Sequence, residues 1–395
     1  MTPLGAAGAI ELRRYLEPGA GIWWGQAAAE PEPLVHALLD QIDDLGPRRA
    51  FCGLTWNRRL TREPPDLLSI LSYGGLGELR VLSRAGRLDV VPCHYSALPR
   101  MFAEGLLPND VGFVQVSPPD ADGTCSLGIG ADYAADAVRH TKVLIAEVNA
   151  QMPSTRGTAR IPMDRFAAVV ETDRPLPEAP ERPADEVEVA IARHAASLVE
   201  DGDTIQLGVG SLPSAVLDAL SGHKDLGVHT GMITDGVLRL VDKGVVTGAE
   251  KEIDPGIVVT GAALGSRELY RTVSDYPVVF RPASYTHAPQ VLSRFRSLVS
   301  VNSAIEVDLT GQVGAEVRAG QYIGAVGGQV DFSSAAAQTG ARSVIAMRST
   351  SGDLSTIAPR LRGGVVTTSN LRKSATKRGV RRCTISASGV HPSSL

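Results

Sequence analysis

Four short segments hold glycines, a histidine, hydroxyls and carboxylates at spacings that could do chemistry. The first is Gly208-Val209-Gly210-Ser211-Leu212-Pro213-Ser214, between an apolar run and a helical pattern. Two glycines let a backbone approach a ligand closely, and the free N–H groups of a helix start favour an anion or a developing oxyanion. The dinucleotide fingerprint needs a third glycine near Pro213, so a Rossmann cofactor site fits poorly. An ordinary tight turn has the same spacing. The second is Gly324-Ala325-Val326-Gly327-Gly328-Gln329-Val330-Asp331-Phe332. Adjacent amides at Gly327 and Gly328, just before a helical pattern over 333–338, could hold an oxyanion during acyl transfer. Gln329 and Asp331 could equally cap that helix. The third, Gly227-Val228-His229-Thr230-Gly231-Met232-Ile233-Thr234-Asp235-Gly236, offers one histidine, two hydroxyls and a carboxylate. A lone histidine is more often packed than catalytic. The fourth is 302–312, where polar and apolar residues alternate. It reads as an exposed-face strand with Glu306 and Asp308 solvated.

The elements that must position these loops alternate along the chain. Short apolar runs at 50–56, 111–116, 142–148, 167–171, 204–207, 257–260, 299–301, 342–347 and 365–367 read as strands. Helical periodicity covers 32–42, 65–74, 184–199, 212–221, 236–243 and 290–295. Continuous apolar strands alternating with helices imply mostly parallel sheets covered on both faces, an α/β fold. The segment 172–183 holds four prolines, which cannot continue a helix or a central strand. It reads as the linker between two α/β domains, 1–175 and 184–368, followed by an irregular basic tail, 369–395.

Composition narrows the classes. With 395 residues, 43% hydrophobic and 21% charged, the chain is globular and long enough for two cores. A net charge of −4 argues for no nucleic-acid or membrane partner. No apolar stretch is long enough to cross a bilayer, and no basic residue precedes the first apolar run, so a cytoplasmic protein is expected. Four scattered cysteines form no CxxC pair, so neither zinc nor a disulfide framework is expected. From Leu354 onward there are eight Lys/Arg and no Asp/Glu. That stretch lacks the aromatics of a single-strand-binding surface.

Taken in order, the segments resemble the acetyl-CoA hydrolase/transferase family. The likeness rests on Val116-Ser117-Pro118-Pro119-Asp120, Cys125-Ser126-Leu127-Gly128, Ala146-Glu147-Val148-Asn149 and Met152-Pro153 in the first half. In the second it rests on the Gly208 loop, Lys224 to Thr230, Ala263-Leu264-Gly265-Ser266, Phe280-Arg281-Pro282, 302–312 and Gly327 to Phe332. The resemblance implies two tandem CoA-transferase-type (NagB/RpiA-like) α/β domains with the active site between them, and a homodimer. It also implies coenzyme A carried as an acyl-CoA substrate, a small-molecule acceptor and no metal. The family's reaction uses a glutamate that attacks the thioester and forms a glutamyl-CoA intermediate. Gly327 and Gly328 would then be oxyanion donors. Gly208, Val209, Gly210 and Gln329 would line the CoA arm, and His94, Gln115, Asn149 and Met232 the acyl pocket.

The chain departs from that pattern twice. In the family the glutamate follows the His-Thr pair, and here Gly231 stands there. Glycine can form no covalent intermediate. After Thr368 the family continues with a segment rich in Tyr, Val, Glu, Gly and Asp. Here 369–395 is free of acids, as a shifted or truncated reading frame or a divergent arm would be. The resemblance therefore implies a CoA-transferase-family enzyme with three possible activities. One is thioester chemistry without the glutamyl intermediate, by hydrolysis or transfer to a non-carboxylate nucleophile, with His229 as base. The second is acyl-CoA:carboxylate CoA transfer, of the 4-hydroxybutyrate or acetate type. The third is acyl-CoA binding without catalysis.

Overall fold

The computed structural model describes residues 10–157, 160–179 and 182–368, and the backbone of 375–376 and 379–380. The reading of 369–395 as an irregular arm lies almost wholly outside the described residues. The chain forms two compact units. The first gathers Met1–Ala179, Gly261–Tyr285 and Tyr322–Gly327. The second gathers Pro180–Thr260, Thr286–Gln321 and Gly328–Leu395.

The first unit is built on a seven-stranded parallel sheet. Ile22–Trp24 lies near its centre. Arg48–Phe51, Leu68–Ser72 and Leu88–Val90 follow outward on one side, and Val111–Val116, Val143–Asn149 and Phe166–Thr172 on the other. Strands covered on both faces need apolar side chains on both, and every residue of Ile22–Trp24 and Val111–Val116 is buried. Trp23, Phe51, Phe102 and Tyr133 meet edge-on or stacked, with ring centroids 5.4 to 6.4 Å apart. The helix Glu32–Leu45 starts behind Pro31, buries Leu34, Val35, Leu38 and Ile42 on the sheet, and stops at Gly46, whose φ of +74° suits glycine.

The second unit has a four-stranded parallel sheet in the order Gly227–Val228, Thr204–Leu207, Leu298–Asn302, Arg342–Ile345. The chain leaves the strand Thr204–Leu207 to one side and returns on the other, so the strand order reverses between Thr204–Leu207 and Leu298–Asn302. Its helices carry recognisable ends. Asp185 and Glu188 form a reciprocal capping box at Glu186–Ala196. Gly340, in left-handed conformation, closes Gln329–Thr339. Ile253, Leu292, Phe295, Leu298 and Phe332 form a core beneath one face of the sheet.

Several sequence expectations need correction. The helix expected over 65–74 is the strand Leu68–Ser72. A short apolar run has no period long enough to separate the two, and this one pairs with Arg48–Phe51. The run 50–56 contributes only the strand Arg48–Phe51, and the strand Ile22–Trp24 was not foreseen at all. No strand forms over 365–367, where only Thr368 bridges Val313. Glu306 and Asp308 are buried, not solvated. Glu306 accepts the Gly363 N–H at 2.7 Å and Arg362 Nε at 3.1 Å, and Asp308 folds its own turn through Thr310 and Gln312. The proline-rich segment runs from Asp173 to Ala179 without helix or strand.

Candidate active site

In open parallel sheets, loops at the carboxyl ends of the strands form the ligand crevice where the strand order reverses. In the second unit that place is marked by Gln206, Ser300 and Asn302. Gln206 Oε1 accepts Ser300 Oγ at 2.6 Å and Asn302 Nδ2 at 3.0 Å, and all three residues are buried. Immediately beyond Leu207 comes Gly208-Val209-Gly210. Val209 is 43% exposed, a high value for valine. Gly210, at φ +124°, caps the helix Ser211–Ala219, and its carbonyl accepts the Ser214 N–H at 3.0 Å. The first N–H groups of that helix have no intrahelical partner and face an anion favourably.

Beside it, Gly227–Val228 leads into His229-Thr230-Gly231-Met232. Main-chain bonds pin this turn: His229 N–H to Ile205 and Thr230 N–H to Val259. Thr230 Oγ1 sits 3.2 Å from the Leu207 carbonyl. His229 is fully buried against the edge of Phe295, with centroids 4.9 Å apart. Its Nε2 lies 3.1 Å from the Thr286 carbonyl, which can only accept, so Nε2 carries the proton. Burial, with the nearby Lys251 charge adding to it, pushes its pKa down to about 3 and keeps the ring neutral. Lys251 is itself spent on the carbonyls of Val228 and Ile257. The ring expected to act as a base is tied through Nε2 to the Thr286 carbonyl.

The next residue, His287, was not anticipated. Its ring packs on Phe332 with centroids 5.1 Å apart, and Nδ1 lies 2.8 Å from Thr286 Oγ1. Burial pushes its pKa down to about 4, against the opposing pull of the Asp331 carboxylate. A methyl group built on Gly231 would come within 2.8 Å of its Cε1 and 2.9 Å of its Nε2. One built on Gly328 would come within 2.4 Å of Nε2. Neither glycine has a left-handed backbone that would by itself demand glycine. The same imidazole edge closes both positions to a side chain. Gly328 is also the N-cap of Gln329–Thr339, and Gln329 Nε2 is buried with no hydrogen-bond partner among the described residues.

The remaining expected site residues belong to the first unit. Gln115 and Asn149 are buried and mutually bonded at 2.9 Å. Gln115 Nε2 also donates to the Glu30 carbonyl, and Asn149 holds the backbone of Gln151 and Arg174. Both amides are therefore committed to fixing adjacent turns. His94 is exposed and heads the turn Tyr95–Ala97. Gly327, at φ +54°, bridges to His94, and its carbonyl accepts the Tyr95 N–H at 3.0 Å. Nearby is a buried network that sequence reasoning missed. Gln26 Nε2 donates to Tyr95 Oη at 2.9 Å and to Asp132 at 2.7 Å, while Tyr73 Oη donates to Gln26 Oε1 at 2.8 Å.

Comparison with known proteins decides the family. The acetyl-CoA hydrolase/transferase N-terminal domain matches residues 7–183, and the C-terminal domain of the same family matches 265–377. The 4-hydroxybutyrate coenzyme A transferase of Clostridium kluyveri is 38% identical over 363 residues, covering 90% of this chain and 84% of that protein. The chain belongs to the acetyl-CoA hydrolase/transferase family. Among solved structures, RipA from Yersinia pestis superposes with a TM-score of 0.81 at 33% identity, covering 90% of this chain and 84% of that one. The 4-hydroxybutyrate CoA-transferase of Porphyromonas gingivalis gives a TM-score of 0.76 at 35% identity, covering 91% and 85%. The expected α/β architecture with mostly parallel sheets in two tandem domains is thereby confirmed. Among the described residues no cluster of His, Cys, Asp and Glu could hold a metal ion, and no helix is long and apolar enough to cross a membrane.

Within the acetyl-CoA hydrolase/transferase fold, His287 left little signal in the sequence. It follows a threonine at the end of the short helix Ala283–Thr286 and lies in no glycine-rich loop. Only the coordinates bring it to Gly231, 56 positions earlier, and to Gly328, 41 later.

Proposed function

We propose that the protein attacks the thioester carbonyl of an acyl-CoA without forming a glutamyl-CoA intermediate. The acyl group passes to water or to another nucleophile that is not a carboxylate. The observation that carries this reading is the occupancy of the site beside Gly231. No side chain is present at that position, and the space a side chain would need holds the ring of His287. The CoA arm is assigned to Gly208-Val209-Gly210, whose helix start suits phosphate groups. The tetrahedral oxyanion is assigned to the backbone at Gly328 and Gln329, at the start of an eleven-residue helix. Met232 borders the same turn and is assigned to acyl recognition. A homodimer is the proposed assembly, which light scattering checks.

A second reading is supported by the two 4-hydroxybutyrate CoA-transferases above, which are named for transfer to a carboxylate. One experiment separates the two. The protein is incubated with acetyl-CoA or butyryl-CoA and free thiol is followed, with and without added carboxylates. Thiol release that needs no carboxylate, with no borohydride-sensitive thioester on the protein, supports the first reading. Exchange of CoA onto the carboxylate with a trapped protein thioester supports the second. Binding of CoA without either product makes the protein a non-catalytic acyl-CoA binder.

A further inference from the structure

We propose that the first unit holds a second ligand site, a cavity of about 470 Å³ walled by Arg139, Arg160, Arg165 and Arg281, and that its ligand is a small phosphate monoester. None of the residues that line it is assigned above to acyl-CoA chemistry, so the inference is independent of that reading. It also gives a role to the segment Phe280-Arg281-Pro282, which the proposed reaction leaves without one.

The charge on this wall is unbalanced. Among the described residues no carboxylate lines the cavity, and two reach its arginines from outside. Asp120 lies 2.8 Å from Arg160 Nη2, and Thr124 and Ser154 take the other donors of that guanidinium. Asp136 lies 3.9 Å from Arg139 Nη1, whose side chain is 55% exposed, and so open a contact neutralises little. The Asp136 carboxylate is held instead by Ser284, whose N–H donates at 3.0 Å and Oγ at 2.5 Å. Arg165 and Arg281 have no acidic partner among the described residues. Arg165 donates to the carbonyls of Thr141 and Lys142, and Arg281 Nη1 donates to the Gly157 carbonyl at 3.1 Å. Arg281 Nε is buried with no hydrogen-bond partner among the described residues. Its guanidinium stands 5.2 Å from the centre of the Tyr285 ring, a contact that holds it without using a donor.

That imbalance selects the ligand. A guanidinium is always charged, and a carbonyl satisfies one of its donors without cancelling the charge. Two such groups on one concave wall focus a positive field into it and favour an anion of about two charges. A phosphate monoester carries about −1.5 to −2 at neutral pH on three acceptor oxygens of a single centre. Arginine forks match those oxygens in pairs. The cavity also exceeds what a bare phosphate group needs, and its volume falls within the roughly 300–1,000 Å³ of small-molecule pockets. Leu127, Ile161 and Pro162 add apolar wall for an organic part. The arginines thus take the phosphate, and the apolar side takes the group esterified to it.

The test uses the full chain and titration calorimetry in a phosphate-free buffer. The probes are glucose 6-phosphate, adenosine 5′-monophosphate, inorganic phosphate and citrate, each compared with sodium chloride at equal ionic strength. The expected result is saturable one-to-one binding of at least one of the two monoesters, tighter than inorganic phosphate and citrate. Its Kd should rise about tenfold in Arg281→Gln and about threefold in Arg281→Lys, which keeps the charge but loses the fork. Arg139→Glu, in the exposed turn after the helix Asp132–Ala137, should also weaken it about tenfold. Saturating CoA should leave the Kd within twofold. No saturable binding of either monoester overturns the site. So does binding that survives both Arg281→Gln and Arg139→Glu within twofold. Inorganic phosphate or citrate binding as tightly as both monoesters overturns the ligand class, and displacement by CoA overturns a separate site. A chain that binds a monoester but not CoA overturns the acyl-CoA reading and leaves this inference standing. Each variant is checked for native circular dichroism, and should Arg281→Gln not fold, Arg139→Glu decides.

Discussion

The imidazole of His287 lies against the α-carbon of Gly231, leaving no room between them for a methyl group. The two residues therefore form a size-matched pair, and each limits what the other can become.

A double-mutant cycle reads that match. Gly231→Ala should cost about 1–3 kcal/mol of stability through overlap with the buried ring, since the backbone at 231 is not left-handed. In a His287→Gly background the same change should cost at least about 1 kcal/mol less. Denaturant unfolding of the four proteins measures this. Costs that add within about 0.5 kcal/mol would show that the ring swings aside freely. The chemical extension is Gly231→Glu, which should acquire a borohydride-sensitive thioester only when His287 is also reduced to glycine.

Stability should fall on acidification, and the second unit should supply the fall. His229 and His287 have folded pKa values pushed down to about 3 and about 4, from 6.5. As pH drops below 6.5 the unfolded chain binds protons that the folded chain refuses. Their contribution is thus complete above 6.5 and shrinks toward pH 4, by up to roughly 1.4 kcal/mol per histidine per pH unit. Glu30 in the first unit runs the other way. Burial lifts its pKa from 4.5 to about 7, so its contribution is complete below 4.5 and is lost as pH rises through 7. Urea unfolding at pH 5, 6 and 7.5 checks both signs. His287→Asn should flatten the acid loss. Glu30→Gln should gain on the wild type as pH rises, and an unchanged difference between pH 5 and 7.5 would refute the assignment to Glu30.

Arg174→Ala should destabilise the protein by roughly 3 kcal/mol. Glu147 has no exposed side-chain surface and is held by Arg174 in a two-point contact, 2.6 Å from Nε and 2.9 Å from Nη2. Removing the guanidinium strands a buried carboxylate. Thermal unfolding reads the loss, and Arg174→Met with Glu147→Gln together should recover part of it. A cost for Arg174→Ala below about 1 kcal/mol would mean that water replaces the arginine.

Val209→Glu should raise the KM for acyl-CoA about tenfold and leave kcat within twofold. The exposed side chain sits between Gly208 and Gly210, where a negative charge opposes the phosphates of the CoA arm. Steady-state thiol release at low ionic strength measures it, and the effect should shrink with added salt. An unchanged KM would move the CoA arm elsewhere.

The sheets were legible wherever an apolar run was long or met a helix directly. The runs at Val111–Val116, Thr204–Leu207 and Leu298–Asn302 emerged near their true limits because parallel strands covered on both faces leave unbroken apolar stretches. The strand Leu68–Ser72 was misread because five residues sample too few turns to separate a period of 3.6 from one of 2. Glu306 looked solvated because its partners, Arg362 and the Gly363 amide, lie more than fifty positions away. For the candidate site, the sequence singled out the turns at Gly208, Gly231 and Gly328. The ring that meets two of them is set by tertiary packing of Thr286 and Phe332, which no local pattern encodes.

The two units are interleaved along the chain, and this bears on how the molecule can be taken apart. Ser284, in a segment that returns to the first unit, supplies both bonds to the buried Asp136 carboxylate. A fragment ending at the proline-rich stretch would lose those donors, together with Gly261–Tyr285 and Tyr322–Gly327. Proteolytic nicking there, or a split gene designed around it, should therefore yield halves that fold only in each other's presence.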